Sequence, residues 1–532
     1  MVKYVFVTGG VMSSLGKGVL TASVSFLISR IGYSVSAVKI DPYLNVDAGT
    51  MSPYVHGEVF VTDDGGETDL DIGHYERFLG KSLSRKNNIT AGQIYQSIIE
   101  KERRGDYLGQ TIQIIPHVTD EIKNRLREIA REQQSDVLVV EIGGTVGDIE
   151  GLPFLEAARQ MRLDEGYGNT LYIHVALTPY HRLIGEIKTK PLQHSVQELR
   201  RIGIQPDVII VRSERPIDID TKKKISLFTN VPIDYVFEDY DLSVVYELPL
   251  ILHQQGFLKK ISEKLSLNYR EPDLGDWYSY VEKMKNPKRS VKIYMIGKYT
   301  KVRDSYVSII EALKHASAEF LVRPEIEFIE ATDIETEERE FVYEDRAGYI
   351  ILPGFGRRGA EGKIKAIKTI RENNGVVLGI CFGLQLMAVE IARNVVGLRN
   401  ANSTEIDPMT PHPVVDLLEE QKKIQRMGGT MRLGLSKSIL VKGSRVYEAY
   451  GTQEVYERHR HRYEINPEYV DKLESVGFIV SGYNEAGYVD FMEMRGYKFF
   501  IGTQAHPEFR SRPLKPSPLF VDFIREVIKI SS

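Results

Sequence analysis

Cysteine is all but missing: Cys381 is the only one among 532 residues. No disulfide can form within such a chain, which excludes a small cystine-stapled scaffold and suits a reducing compartment. Long apolar runs are missing too. The longest, Val376 to Val389, is interrupted by Gln385 and is shorter than the roughly 20 residues that span a bilayer. Neither sign of charge is in excess: 69 Lys and Arg stand against 73 Asp and Glu, a net charge of −4. No bulk field therefore draws nucleic acid or an anionic membrane, and neither is expected as a partner. Internal repeats and low-complexity tracts are absent. The first residues enter an apolar run directly, without a signal-peptide pattern, so the expected location is cytoplasmic.

What is present is length and alternation. A chain of 532 residues is too long for one ordinary domain, so at least two cores are expected. Residues 1–268 alternate apolar runs with amphipathic stretches, the sign of a doubly wound parallel α/β sheet. Strands are expected at Tyr4–Val7, Ser34–Ile40, Asp136–Glu141, Leu171–Leu177 and Asp207–Val211. Helices are expected at Val19–Ile28, Asp120–Gln134 and Leu192–Ile202. Residues 269–290 change character. They hold Pro272, Pro287 and the single tryptophan, Trp277, and read as a linker with short helical turns. A second α/β pattern starts at Val291 and fills 291–532. Within it, 398–430 and 443–468 are polar and irregular, and read as loops.

Gly9-Gly10-Val11-Met12-Ser13-Ser14-Leu15-Gly16-Lys17-Gly18 lies between the first strand and the first helix. Strand, glycine-rich loop, lysine and helix is a layout in which backbone N–H groups surround a phosphate. It departs from the Walker pattern: five residues separate Gly10 from Gly16, and Gly18 stands where Ser or Thr would reach Mg²⁺. Carboxylates must then do more. Asp63 to Asp71 packs five acids into nine residues, and Glu141 closes an apolar strand at the end where open α/β sheets bind ligands. Asp71 and Glu141 are the expected metal pair. Lys188-Thr189-Lys190-Pro191 precedes a helix, and two lysines at a helix start suit an anion.

In the second half, Gly379-Ile380-Cys381-Phe382-Gly383 follows the strand Val376–Leu378 and opens a helix. This is a nucleophile elbow with cysteine in place of serine, and it aims the Phe382 N–H at an oxyanion. A thiolate needs a base. His506 and Glu508 follow the strand Phe499–Ile501 and are candidates for that base and its orienting acid. Gly354, after the strand Tyr349–Ile351, is a candidate second oxyanion donor. The arginines of Arg458-His459-Arg460-His461-Arg462 are expected to clamp carboxylates rather than nucleic acid.

Together these residues resemble the CTP synthase family over nearly the whole chain. The carriers also include Asp41 to Asp47, His56 to Val61, Lys101 to Tyr107, Glu141 to Glu150, Ala401 to Glu405 and Arg458 to Glu464. The resemblance implies two doubly wound α/β domains. One is a phosphate-loop, dethiobiotin-synthetase-like amidoligase, and the other a class I glutamine amidotransferase. It implies that ATP phosphorylates UTP on its 4-oxygen. Ammonia from glutamine, released through a thioester on Cys381, then displaces the phosphate to give CTP. By matching positions, Ser14, Leu15, Gly16, Lys17, Gly18, Val19, Lys39 and Asp71 meet ATP, and Asp71 and Glu141 hold Mg²⁺. Ser14, Asp148, Ile149, Glu150, Lys188, Thr189, Lys190, Pro191, Leu192, Gln193 and Lys224 meet UTP, or CTP as feedback inhibitor. Gly354, Phe382, Gly383, Leu384, Gln385, Glu405 and Arg462 meet glutamine. GTP activation and a homotetramer are further implications.

Two departures from the family stand out: Pro353-Gly354-Phe355-Gly356 is one glycine short of the family's pattern, and the segment around 239–246 is slightly longer. The nearest alternatives are another glutamine-fed amidoligase, such as a cobyrinate diamide synthase, and a non-catalytic nucleotide-binding filament scaffold. His506, Glu508 and Lys188 to Gln193 weigh against the first. The combination of Cys381, His506 and Glu508 weighs against the second.

Overall fold

The computed structural model describes residues 1–417 and 431–531. The chain forms two compact units. The first holds Met1–Met51 and Thr68–Lys285, the second Ser52–Glu67 and Asn286–Ser532.

The first unit is built on a seven-stranded parallel sheet. In spatial order its strands are Val236–Tyr240, Val208–Ser213, Thr170–Leu177, Lys3–Gly10, Val137–Ile142, Val35–Asp41 and Asn88–Thr90. The strand Lys3–Gly10 is central, and its apolar residues are buried on both faces, as a parallel sheet covered by helices requires. Val7 is in register with Glu141 on one side and Ile173 on the other. The chain leaves this strand at a point where strand order reverses, the place where such sheets bind ligands. The stretch 269–290 is more ordered than a linker with short turns. It contains the helix Gly275–Lys285, and Trp277 is buried against Phe26, Phe78 and Tyr246, with its Nε1 donating to Tyr246 O at 2.7 Å. That indole fixes the helix to the first core.

The second unit has a nine-stranded mixed sheet. Its parallel half runs Val322–Glu330, Arg289–Gly297, Ala347–Ile351, Val376–Ile380 and Phe499–Thr503. Its antiparallel half continues through Val489–Met494, Phe478–Asn484, Arg432–Leu440 and Glu454–His461. The expected loop 443–468 is corrected here: it holds the helix Arg445–Tyr450 and the strands Glu454–His461 and Tyr463–Ile465. Of 398–430, Ala401–Ser403 and His412–Leu417 are strands, joined with Tyr463–Ile465 in a small sheet, and 418–430 lies outside the described residues. The edge strand Glu454–His461 returns to the catalytic side of the sheet, where His506 N donates to Arg458 O at 2.7 Å.

Candidate functional sites in the two units

In the first unit, the loop after Lys3–Gly10 exposes Val11 to Ser14, then turns through Gly16 into the helix Lys17–Arg30. Val11, Ser14 and Gly16 have positive φ, at 82°, 58° and 86°, left-handed positions of the kind found in anion-binding loops. Lys17 packs its stem over Gly9 and donates from Nζ to Gly144 O at 2.5 Å.

Beneath the loop, Lys39 ends the second strand among four acids. Its Nζ contacts Asp71, lies 2.9 Å from Glu141 Oε1, and lies 3.7 and 3.8 Å from Asp69 and Asp41. Burial works to lower the Lys39 pKa, but Asp69, Asp71, Glu141 and Asp41 together hold it well above the usual lysine range. Burial also pushes against ionised Asp71, yet the Lys39 charge and hydrogen bonds bring that carboxyl down to about 2. Asp69 is driven the other way, by burial and by the charges of Asp41 and Asp71 around it. Glu141 is raised by burial and by Asp71, and accepts from Tyr75 OH at 2.5 Å.

Asp71 and Glu141 thus converge on one cationic point, and their hard oxygen donors suit Mg²⁺. Gly18 shows the same fit, because a Cβ there would lie 1.8 Å from Asp71 Oδ1. The carboxylate occupies the space where a Walker hydroxyl would project. Among the described residues, no cluster of three or more His, Cys, Asp or Glu is arranged to hold a metal by itself. A metal at this pair would therefore draw its remaining ligands from phosphate and water.

The structure brings Lys17, Lys39, Asp71 and Glu141 together. The residues expected around the uridine nucleotide lie on separate elements. Asp148, Ile149 and Glu150 are exposed, with Asp148 Oδ2 accepting from Thr145 N at 2.9 Å. Lys188 pairs with Glu186, and Thr189 and Gln193 are buried together at the start of the helix Lys190–Arg201. Lys224 is exposed on the helix Ile219–Thr229.

In the second unit, Cys381 sits between the strand Val376–Ile380 and the helix Phe382–Asn394 with φ 53° and ψ −104°. A non-glycine residue held in that region stores strain that the surroundings must enforce. Two close approaches do so. A Cβ on Gly379 would lie 2.4 Å from Met387 Sδ, and one on Gly383 would lie 2.4 Å from Ile351 O. Gln504 Nε2 reaches Cys381 Sγ at 3.6 Å, and Gln385 Nε2 bonds to Gln504 Oε1 and to Tyr463 O.

His506 Nδ1 bonds to Glu508 Oε1 at 2.7 Å, which leaves Nε2 for the thiol. Burial works to lower the His506 pKa, but the charges of Glu508 and of the Cys381 thiolate outweigh it and raise the pKa to about 10. The arrangement is a thiol and an imidazole, the imidazole oriented by a carboxylate, as nucleophilic catalysis requires. Burial raises the pKa of Glu405, whose Oε1 accepts from Gly356 N at 2.6 Å, and Arg462 is one of the cations opposing that rise.

Sequence reasoning missed two lysines here. Lys298 Nζ bonds to Phe355 O and Gly356 O, and Lys363 Nζ donates to Leu352 O at 2.6 Å. They hold the carbonyls of the glycine loop that runs beside the elbow. Burial and the Arg358 charge lower Lys298 to about 8, and burial with the Lys298 charge takes Lys363 well below the lysine range. The signal was available: Lys298 directly follows a buried strand, and Lys363 shares a helix face with Ile367 and Ile370. The acid run 63–71 is divided. Asp69 and Asp71 face Lys39, whereas Asp63 pairs with Arg458 at 2.6 Å and Glu67 with Arg460 at 2.8 Å.

Comparison with known proteins identifies the family of each half of the chain. The family profile described as CTP synthase N-terminus matches residues 3–267, and that described as glutamine amidotransferase class-I matches 301–526. The chain is 59% identical over 525 residues to the CTP synthase of Sulfolobus acidocaldarius, covering 98% of this chain and 99% of that one. It is 55% identical over 527 residues to the CTP synthase of Pyrococcus furiosus, covering 99% and 98%. Among solved structures, the glutaminase domain of Trypanosoma brucei CTPS with bound acivicin is 31% identical with a TM-score of 0.42, covering 45% of this chain and 94% of that one. With relatives this similar along their full lengths, the chain belongs to the CTP synthase family.

Proposed function

We propose that the chain aminates UTP to CTP at the cost of ATP, taking its nitrogen from glutamine. The observation that carries this reading is the pairing, in one chain, of two sites. One is a thiol–imidazole–carboxylate site at Cys381, His506 and Glu508. The other is a phosphate loop backed by Lys17, Lys39, Asp71 and Glu141.

At the first site, the Cys381 thiolate attacks the γ-amide carbon of glutamine. The Phe382 N–H meets the oxyanion, with Gly354 as the second donor. The His506 imidazolium gives its proton to the leaving ammonia. Glutamine is held by Gly354, Phe382 to Gln385, Glu405 and Arg462. At the second site, Ser14 to Val19 wrap the ATP phosphates, and Lys17 and Lys39 neutralise charge as the γ-phosphoryl moves to the UTP 4-oxygen. Phosphorylation makes that oxygen a good leaving group, and ammonia replaces it. Mg²⁺, held by Asp71 and Glu141, supplies further phosphoryl charge neutralisation when bound. Asp148 to Glu150, Lys188 to Gln193 and Lys224 hold the uridine nucleotide, and CTP competes there as inhibitor. GTP activation, a homotetramer and a cytoplasmic setting complete the proposal. No helix among the described residues is long and apolar enough to cross a membrane.

The test is one absorbance assay: UTP, ATP, Mg²⁺ and glutamine are mixed with the protein and the cytosine chromophore is followed. Cys381→Ala is expected to lose glutamine-driven CTP formation and keep ammonia-driven formation. Asp71→Ala is expected to lose both. Ammonia-driven turnover persisting in Asp71→Ala would remove that carboxylate from the mechanism.

A further inference from the structure

The edge strand Glu454–His461 carries two rows of side chains. Arg458 and Arg460 point to Asp63 and Glu67. The opposite row is Glu457, His459 and His461, and Glu464 lies just beyond it. All four are almost completely buried. The backbone of this strand touches the catalytic groups. His506 N donates to Arg458 O at 2.7 Å, and Cys381 Sγ lies 3.7 Å from Arg460 O. His459 stands between those two carbonyls.

The hydrogen bonds of the row are incomplete in a consistent direction. His461 Nδ1 lies 3.2 Å from Tyr463 O, so it carries the proton and donates. His461 Nε2 is then an acceptor and takes the Nδ1–H of His459 at 3.0 Å. That leaves His459 Nε2 as a bare acceptor with no protein partner among the described residues. Neither oxygen of Glu464 has a hydrogen-bond partner among the described residues. Its nearest basic neighbours, the Arg432 Nη1 cation and the neutral His461 Nδ1, are 3.8 and 3.9 Å away, a spacing that a water molecule bridges. Glu457 Oε2, Glu508 Oε2 and Gln385 Oε1 also have no hydrogen-bond partner among the described residues.

A polar atom buried without a partner is costly, and most such atoms in folded proteins are satisfied by protein or water. Their grouping on and beside the strand whose backbone touches Cys381 and His506 points to a wetted space with polar walls. Burial keeps both histidines neutral, as fixed donors and acceptors, and raises Glu464 to about 7, so that Glu464 alone in the row exchanges a proton near neutrality.

We infer that His459, His461 and Glu464 hold a file of ordered water behind the triad, and that this file delivers the water that hydrolyses the Cys381 thioester. The inference rests on the glutaminase reading above. In the hydrolytic step, the water oxygen bonds to the γ-carbonyl carbon while His506 Nε2 takes one of its protons. The carbon–sulfur bond then breaks, its electron pair returns to sulfur, and the thiolate–imidazolium pair is restored. The new glutamate carboxyl loses its proton along the file to solvent. His459, His461 and Glu464 act here as positioning residues.

The test uses the full chain with glutamine, comparing wild type with Glu464→Gln and His459→Phe. Steady-state hydrolysis is expected to fall about a hundredfold, the low end for positioned proton transfer. The first equivalent of ammonia should still appear in a burst. Intact-mass measurement should find the glutamyl adduct accumulating on the protein. Hydroxylamine, which attacks the thioester directly, should restore turnover as glutamyl hydroxamate. Wild-type hydrolysis in Glu464→Gln overturns the inference. So does a burst slowed as much as turnover, with no adduct. If His459→Phe fails to fold, Glu464→Gln decides alone. A wild-type protein that releases no ammonia from glutamine would instead overturn the glutaminase reading itself.

Discussion

A methyl group at position 18 would collide with Asp71, whose Oδ1 lies 1.8 Å from the Cβ position. The loss of the Walker hydroxyl is thus coupled to the carboxylate that fills its space. Restoring the common residue is therefore expected to do harm: Gly18→Ser should displace Asp71 and stop ammonia-driven CTP formation. Glutamine hydrolysis in the same variant should remain, since the thiol site lies in the other unit. The second residue-scale prediction concerns His506. Its folded pKa of about 10 stands above its ordinary value of 6.5. The stabilisation from the charged imidazole is thus complete below 6.5 and disappears as pH rises through about 10. Glutamine hydrolysis should show its alkaline limb there, because the imidazolium protonates the leaving ammonia. Glu508→Gln removes the leading charge that holds the proton, and the limb in a pH–rate profile should move toward neutrality.

At the scale of elements, the elbow is a strand–turn–helix held by close packing. Gly383→Ala would press a methyl against Ile351 O, 2.4 Å away. Overpacking of this kind costs about 1–3 kcal/mol. Thermal unfolding should register that loss, together with reduced glutamine hydrolysis and retained ammonia-driven activity. The elbow was legible in the sequence because its glycines are local, and so were the five inner strands of the first sheet and the strands around the elbow in the second, which are nearly unbroken apolar runs. The edge strands Asn88–Thr90, Val236–Tyr240 and Val322–Glu330 are short or alternate with polar residues and were not. The strand Glu454–His461 was not legible either. It carries an acid and two arginines on one face and an acid and two histidines on the other, so it has no hydrophobic period of two to read. Its partners are distant: Asp63 lies 395 residues before Arg458. The helix around Trp277 was misread for a related reason, since two prolines and several charges hid one tightly packed indole. Lys298 and Lys363 were passed over because a lysine in an apolar neighbourhood reads as a solvated stem until its carbonyl partners are seen.

At the scale of the molecule, the division of the acid run matters most. The chain passes from one compact unit to the other after Met51, returns after Glu67, and passes over again after Lys285. Segment 52–67 is therefore a part of the second unit that is encoded inside the first half of the sequence. It brings Asp63 to the fully buried Arg458, Glu67 to Arg460, and Glu58 to the backbone and hydroxyl of Ser308. Phe60 adds an edge-on ring contact to Phe509, beside the catalytic His506. Removing one member of a buried ion pair costs about 3–5 kcal/mol, because the charge left behind keeps its desolvation penalty. A fragment beginning at Asn286 would carry the whole Cys381–His506–Glu508 site yet lose Asp63, Glu67 and Glu58 together. It is expected to unfold at a lower temperature than the second unit of the intact chain, and to hydrolyse glutamine more slowly. A synthetic peptide of residues 52–67 added in trans should raise both its melting temperature and its rate. The same peptide with Asp63→Asn and Glu67→Gln should do neither. A fragment as stable and active as the intact chain would show that the segment contributes nothing to the thiol site.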